Sequence, residues 1–239
     1  MNIDSVRRHL RSFADVEYAK FMAKYFKAES GDLAEGDVFL GIRMPQIRKV
    51  SKRCCNVPLS MSEELLQSKI HEERMLALLI LVEKYKKGSE EEKDQVYQIY
   101  LENIDAVNHW DLVDQSARFI VGPHLEGKAM SVLKDLVASH LWWRRRIAIL
   151  STFYSIRQNS FKTTLEVAKM LLCDEHDLVQ KAVGWMIKEI SKRNLEVAEH
   201  FLNEHYANMP RTMLRSAIEK FSTTKRKAFL VGALSKRRQ

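Results

Sequence analysis

The chain has 239 residues, with 39 Lys+Arg against 31 Asp+Glu and a formal charge of +8. Its 8 Gly and 4 Pro fall well below the usual shares of roughly 7% and 5%; strand-rich folds need both at their turns, so the composition argues for helices. At 46% hydrophobic the chain can bury a core and is not a disordered segment. The cysteines are the adjacent pair Cys54 and Cys55 and the remote Cys173. That arrangement excludes a disulfide scaffold and any zinc-finger spacing, and it points to reduced thiols. No apolar run approaches the roughly 18–20 residues of a transmembrane helix, and the first residues lack a secretory apolar core. A cytoplasmic protein is expected.

In chain order, apolar residues recur at helical spacing nearly everywhere. The first long irregular stretch is 31–37, rich in Gly and Asp. Residues 41–49 open a helix with Pro45 in its first turn, where the missing amide costs nothing. Free amides there, beside Arg43 and Arg48, would form an anion site. Ser60 before Glu63 and Ser89 before Glu92 read as helix caps with a carboxylate three residues on. Within 75–85 the core face is Leu78, Leu81, Val82 and Tyr85; within 147–156 it is Ile147, Leu150, Phe153 and Tyr154; within 178–190 it includes Val179, Val183, Met186 and Ile190. Gly88-Ser89, Gly122-Pro123, Asp174-Glu175 and Pro210 punctuate the helices with short breaks, which make neighbours antiparallel.

A period runs through these elements. Arg74, Trp110, Arg146, Lys181 and Arg215 occupy similar places in successive helices, at separations of 36, 36, 35 and 34 residues. A period near 35–45 residues with two helices each is the mark of an α-solenoid. The expected architecture is all-α: one curved HEAT-like repeat domain over 1–239, with a basic concave groove and a basic tail at 225–239. Charge follows the same axis. Residues 1–140 hold 20 Lys+Arg and 22 Asp+Glu, whereas 141–239 hold 19 and 9. So basic a second half points to a polyanionic partner.

No glycine-rich nucleotide loop, zinc-protease spacing or nucleophile elbow is present. Two clusters remain. Trp110 and Asp114 lie four apart on one helix face, where a ring and a carboxylate together attract a cation. Asp111 falls on a different face of that helix. Equally, Trp110 can be a core ring and one of the acids a cap or an ion-pair partner. Trp142-Trp143 followed by Arg144-Arg145-Arg146 is an aromatic and basic cluster suited to phosphate, or a solvated face over a core Trp. Gly184, before Trp185, sits inside a helix at a cost of about 1 kcal/mol relative to Ala and implies close packing there.

Four segments, in order, resemble the AlkD-type family of DNA alkylation-repair glycosylases: Phe39 through Arg48, His109 through Asp114, Trp143 through Leu150, and Val179 through Trp185. The resemblance runs from about Tyr18 to Phe221. It implies a HEAT-like fold that wraps duplex DNA and releases purines alkylated at N3 or N7, without extruding the base into a pocket. By motif position it implies Trp110, Asp114, Arg146 and Trp185 as the catalytic group. Arg43, Arg48, Arg144, Arg145, Lys181 and, less directly, Tyr25 would bind the DNA. No cofactor and no metal are implied, and a nucleoid-associated monomer without membrane contact is expected. The chain departs from the pattern at His109, where relatives often carry a second Trp, at Asp177-Leu178, where they often carry aromatics, and in a longer first loop at 28–37. The competing readings are a non-catalytic HEAT-like protein for damaged or branched DNA, and a protein-interaction scaffold for an acidic partner.

Overall fold

The computed structural model describes residues 2–26, 36–54, 56–128 and 130–232; most of the lengthened first loop, Cys55 and the end of the basic tail lie outside these. The chain divides into two compact units, 1–124 and 125–239. Among the described residues the only extended pairing is a single bridge between Val38 and Ile70. The fold is all-helical and built of repeated helical pairs, as the spacing predicts. None of the described helices is long and apolar enough to cross a membrane.

The first unit comprises α1 (Ile3–Arg11), α2 (Val16–Tyr25), α3 (Met44–Arg53), α4 (Leu59–Leu66), α5 (His71–Lys87), α6 (Glu90–Glu102) and α7 (Trp110–Leu125). Short polar side chains set several starts by accepting orphan first-turn amides. Asn2 accepts from the Ser5 amide, Asp15 from Tyr18 and Ser89 from Glu92. Ser60 is not a cap. Pro58 precedes α4, whose first residue is Leu59, so Ser60 lies inside the helix. Pro45 does sit in the first turn of α3. The break expected at Gly122-Pro123 does not end α7, because Pro123 falls in its last turn and the helix runs on to Leu125.

Helix α5 is the axle of this unit. Residues 71–82 are all buried, and the helix packs against α3, α4 and α6. Its charged first turn is therefore buried as well, and each charge is matched. Glu73 pairs with Arg7 and Arg11 at 3.1 and 3.2 Å. Glu72 accepts from the amides of Leu40, Gly41 and Ile42. These amides lie ahead of α3, whose own first-turn amides, the anion site expected beside Arg43 and Arg48, are not among them. Gly41 makes the Glu72 contact possible with φ +75°, and a Cβ there would lie 2.0 Å from the Asp15 carbonyl oxygen.

The second unit comprises α8 (Ser131–Val137), α9 (Trp142–Ser151), α10 (Phe153–Arg157), α11 (Lys162–Met170), α12 (Asp177–Ser191), α13 (Leu195–His205), α14 (Arg211–Ala217) and α15 (Thr223–Val231). The apolar run read as one helix over 147–156 breaks at Thr152, which leaves Phe153 and Tyr154 only half-buried. The basic tail opens as helix: Lys225 lies on α15 and pairs with Glu199 at 2.6 Å. Helix α12 is central and packs against α9, α13 and α14.

The five periodic residues fall on α5, α7, α9, α12 and α14, so the period is the spacing between the first helices of successive pairs. A recurring brace confirms the repeat. Before α5, α9 and α12, the side chains of Ser68, Ser139 and Asp174 each accept from the amide two residues on. In each case the side chain six residues on returns a bond to the same residue's carbonyl: Arg74 to Ser68 at 3.0 Å, Arg145 to Ser139 at 3.0 Å and Gln180 to Asp174 at 2.9 Å. Two otherwise orphaned groups per turn are satisfied this way.

Gly184 is explained by α14. A Cβ there would lie 2.4 Å from the Met213 carbonyl oxygen and 2.6 Å from Ser216 Cβ. Backbone cannot yield as a flexible side chain can, so Gly184→Ala is expected to destabilise the chain by about 2–3 kcal/mol despite its gain in helix propensity. Chemical denaturation measures this, and a stabilised variant would show that α12 and α14 are not so closely packed.

Candidate functional site

Helix α7 begins at Trp110, and its start is held by a run of buried polar groups in the first unit. Asp111 Oδ1 accepts from His109 Nδ1 and from the Leu112 amide, both at 2.8 Å. Its Oδ2 accepts from His71 Nε2 at 2.9 Å. The other ring nitrogen of His71 donates to Asp37 Oδ2 at 2.9 Å, and Arg74 Nη2 donates to both Asp37 oxygens at 2.7 Å. Carboxylates only accept, so His71 must carry a proton on both nitrogens.

The electrostatics agree with that geometry. Burial is the largest influence on His71 and opposes its charge, but Asp111 and Asp37 outweigh it and raise the pKa from 6.5 to about 9. Burial likewise opposes ionisation of Asp111, yet His71 and His109 hold its carboxyl well below the usual range. Asp37 is also lowered: burial works against it, and the His71 hydrogen bond and the Arg74 charge prevail. His71, His109 and Asp111 also bring potential metal-ligand atoms within 4.8 Å of one another. A ligating imidazole must offer a free lone pair, and both His71 nitrogens are spent on carboxylates. The arrangement favours a proton over a metal ion.

Above this network lies a cavity of about 380 Å³, within the range of small-molecule sites. Tyr18, Phe21, Tyr25 and Phe26 from the α2 region face it, together with Trp110, while His71 and Asp111 reach it from below. Trp110 is half-buried and packs on Met22, Phe26 and Phe39, so it is partly a core ring and partly a wall of the cavity. Asp114, also half-buried, lies one turn along α7 and is not part of the cavity wall. Arg43 is exposed and stacks its guanidinium 4.1 Å from the Tyr18 ring centroid. Arg48 is exposed and donates to Gln115 on α7 at 2.6 Å. Of the residues singled out in sequence, the structure thus gathers Tyr25 and Trp110 around one cavity, with Arg43 and Arg48 held on side chains that line it.

In the second unit, Arg145 makes a two-pronged pair with Asp174, at 2.6 and 3.2 Å, and also donates to the carbonyls of Ser139 and His140. It braces the start of α9. Arg146 is buried and donates to the Leu178 carbonyl in the first turn of α12. Arg144 is half-buried, whereas Lys181 is exposed, 4.0 Å from Asp177. Trp185 is half-buried and lies one turn beyond Lys181 on α12. Its indole N–H donates to Glu189 at 2.9 Å, which fixes the ring. The residues that sequence reading missed are Asp37, His71 and Phe26. His71 opens a buried helix, and His109 stands two residues from Asp111; that pattern is the signal available in the sequence.

Comparison with known proteins bears on the chain as a whole. The family model described as DNA alkylation repair enzyme matches residues 6–221. A solved structure of a predicted DNA alkylation repair enzyme from Enterococcus faecalis is similar, with a TM-score of 0.68 at 20% identity over 88% of this chain and 97% of that one. At that identity the likeness bears on the fold. A comparison with curated proteins finds no sequence match.

The His71 network makes stability depend on pH. The raised His71 pKa means that its contribution is complete below 6.5 and fades as pH rises through about 9. The lowered Asp111 and Asp37 values mean that theirs is complete above 3.8 and fades on acidification. Thermal unfolding is therefore expected to lose on the order of 2 kcal/mol between pH 6.5 and 9. His71→Gln should be less stable than wild type at pH 6 and flatter across that window. An equally sloped profile in the variant would place the proton elsewhere.

Proposed function

The chain belongs to the family of DNA alkylation repair enzymes, and from that premise we propose that it is a DNA glycosylase of base excision repair. In this reading it hydrolyses the N-glycosidic bond of purines alkylated at N3 or N7 in duplex DNA. It works as a monomer, needs no cofactor, and does not extrude the reacting base into a pocket. The observation that carries the proposal is the start of α7, where Trp110 and Asp114 share a helix face anchored by the His71 network. An acid near a DNA-binding surface opposes phosphate, so its presence there is better matched to a cationic lesion.

The chemistry follows from the lesion's charge. An N3- or N7-alkylated purine is already positive and leaves without prior protonation, so no general acid is required. Its departure leaves an oxocarbenium-like sugar. Asp114 would stabilise that cation and orient the attacking water. A charge pair at 4 Å and an effective dielectric of ~20 is worth about 4 kcal/mol, or roughly 10³-fold in rate if realised only in the transition state. Trp110 and Trp185 would pack against the lesion-bearing nucleotide and favour its positive charge. Exposed Arg43, Arg48 and Lys181, together with Arg144 and Tyr25, would hold the backbone. Arg146 would reach a phosphate from the helix start it braces, while Arg145, matched by Asp174, would act mainly through that brace. The second unit has the charge for this role, with 21 Lys+Arg against 11 Asp+Glu over 125–239.

Asp114→Asn is expected to lower single-turnover release of 7-methylguanine from methylated duplex by 10² to 10³-fold, with DNA affinity nearly unchanged. Release at the wild-type rate would overturn the assignment. If wild type itself binds duplex without releasing base, the chain is a non-catalytic DNA-binding member of the family.

Lys181→Ala and Arg146→Ala should each weaken duplex binding and reduce the slope of log affinity against log salt by about 0.9 for each lost phosphate contact. An unaltered slope for Arg146→Ala would confine that residue to bracing α12.

A further inference from the structure

Helix α2 carries a feature of which the proposed function uses only Tyr25, as a backbone contact. Tyr18, Phe21 and Tyr25 follow one another along one helix face, and their rings lie nearly parallel, 16° and 17° apart, with successive centroids at 5.8 Å. Phe21 is 57% exposed and Tyr25 60% exposed, although both are large and apolar. Behind them lies the cavity of about 380 Å³ that Trp110 closes on the α7 side. We propose that this aromatic face and cavity of the first unit form a stacking site for one unpaired nucleobase of DNA. The inference rests on the reading that the chain works on DNA; it adds to that reading a subsite that shares only the Trp110 ring with the proposed reaction centre, since Asp114 lies outside the cavity wall.

The chemistry of the surface selects the occupant. A nucleotide is a flat π-system joined to an anion, and every base has a face that stacks on an aromatic ring. The site offers the same two elements side by side: exposed rings, and cations at their edge. Arg43 lies over the Tyr18 ring and stays exposed, so its guanidinium can meet a phosphate beside the stacked rings. Arg48, also exposed, donates to Gln115 of the cavity wall and so brings a second guanidinium to the cavity. An apolar peptide would leave these cations unmatched. Two carboxylates, Glu72 and Asp111, line the cavity against one imidazole, His71, and Asp111 is held in place by His71 and His109. A phosphate is therefore disfavoured inside and favoured at the rim, which orients a nucleotide base-inward. A fully paired duplex presents no free base face, so the site acts only where pairing is broken, as beside a lesion or a bulge.

The test uses the full chain and 2-aminopurine, whose emission is quenched on stacking. Two duplexes of equal length are compared, one fully paired and one with a single bulged 2-aminopurine. Wild type is expected to quench the bulged probe and to bind that duplex at least about tenfold more tightly than the paired one. Phe21→Ala should lose the quenching and most of the preference while keeping its affinity for paired duplex. Phe21→Tyr, which retains a ring, should behave as wild type. Equal affinities for the two duplexes in wild type, or an undiminished preference in Phe21→Ala, would overturn the proposal. Base release from methylated duplex is measured alongside. Release by wild type without a ring-dependent preference for the bulge sinks the subsite alone. A ring-dependent preference in a chain that releases no base upholds the subsite and sinks the glycosylase reading.

Discussion

A protonated histidine held between two carboxylates decides where α7 begins. His71 comes from α5, Asp37 from the segment ahead of α3 and Asp111 from the first turn of α7. Removing three charges from water is costly, and it is tolerated only because each is hydrogen-bonded to another. Such a network is sensitive to geometry: move one member and the others are left as buried, unmatched charges. Its value is therefore positional. It ties three stretches that are far apart in sequence to one register, and Trp110 and Asp114 inherit their places from it. Arg74 extends the same network into the repeat brace by bonding both Asp37 and the Ser68 carbonyl.

That brace shows how one repeat position can serve two ends. At Arg74, Arg145 and Gln180 the same backbone task is performed by different side chains. Gln180 suffices for it, so an arginine at this position brings charge that needs a partner, and Asp37 and Asp174 supply it. Basic residues in a repeat protein of this kind divide into struts, whose charge is matched internally, and residues such as Lys181 and Arg43 that remain exposed. Net charge does not distinguish them. The acid–base balance of the two units does carry meaning: the first is near neutral and contains the aromatic cavity, while the second has a large excess of cations.

Much of the fold was legible in the sequence because helical periodicity and repeat spacing are local or quasi-local properties. Scarce Gly and Pro, apolar residues at helical spacing and five positions about 35 residues apart were enough to predict stacked helical pairs. Gly184 announced close packing by its cost, and α14 supplies the reason. Ser89 behaved as a cap because nothing competed for the amide of Glu92. Ser60 did not, since the helix starts two residues earlier, with Pro58 in the cap position.

The site was only partly legible. Trp110 and Asp114 could be placed on one face of one helix from their spacing, because four residues make about one turn whatever the helix packs against. Whether Asp111 was a cap, an ion-pair partner or a solvated acid could not be read in the same way. Its partners stand 40 residues before it and two residues before it, and only packing unites them. The same holds for Arg145, which reads as a free cation until Asp174 is seen beside it, and for Phe21 and Tyr25, whose spacing fits a core stripe and whose exposure is a tertiary fact. The sequence by itself determined the helices, their pairing, their period and the distribution of charge. The tertiary structure decided which charges are spent and which rings stay open, because burial and charge pairing depend on neighbours that sequence distance does not specify.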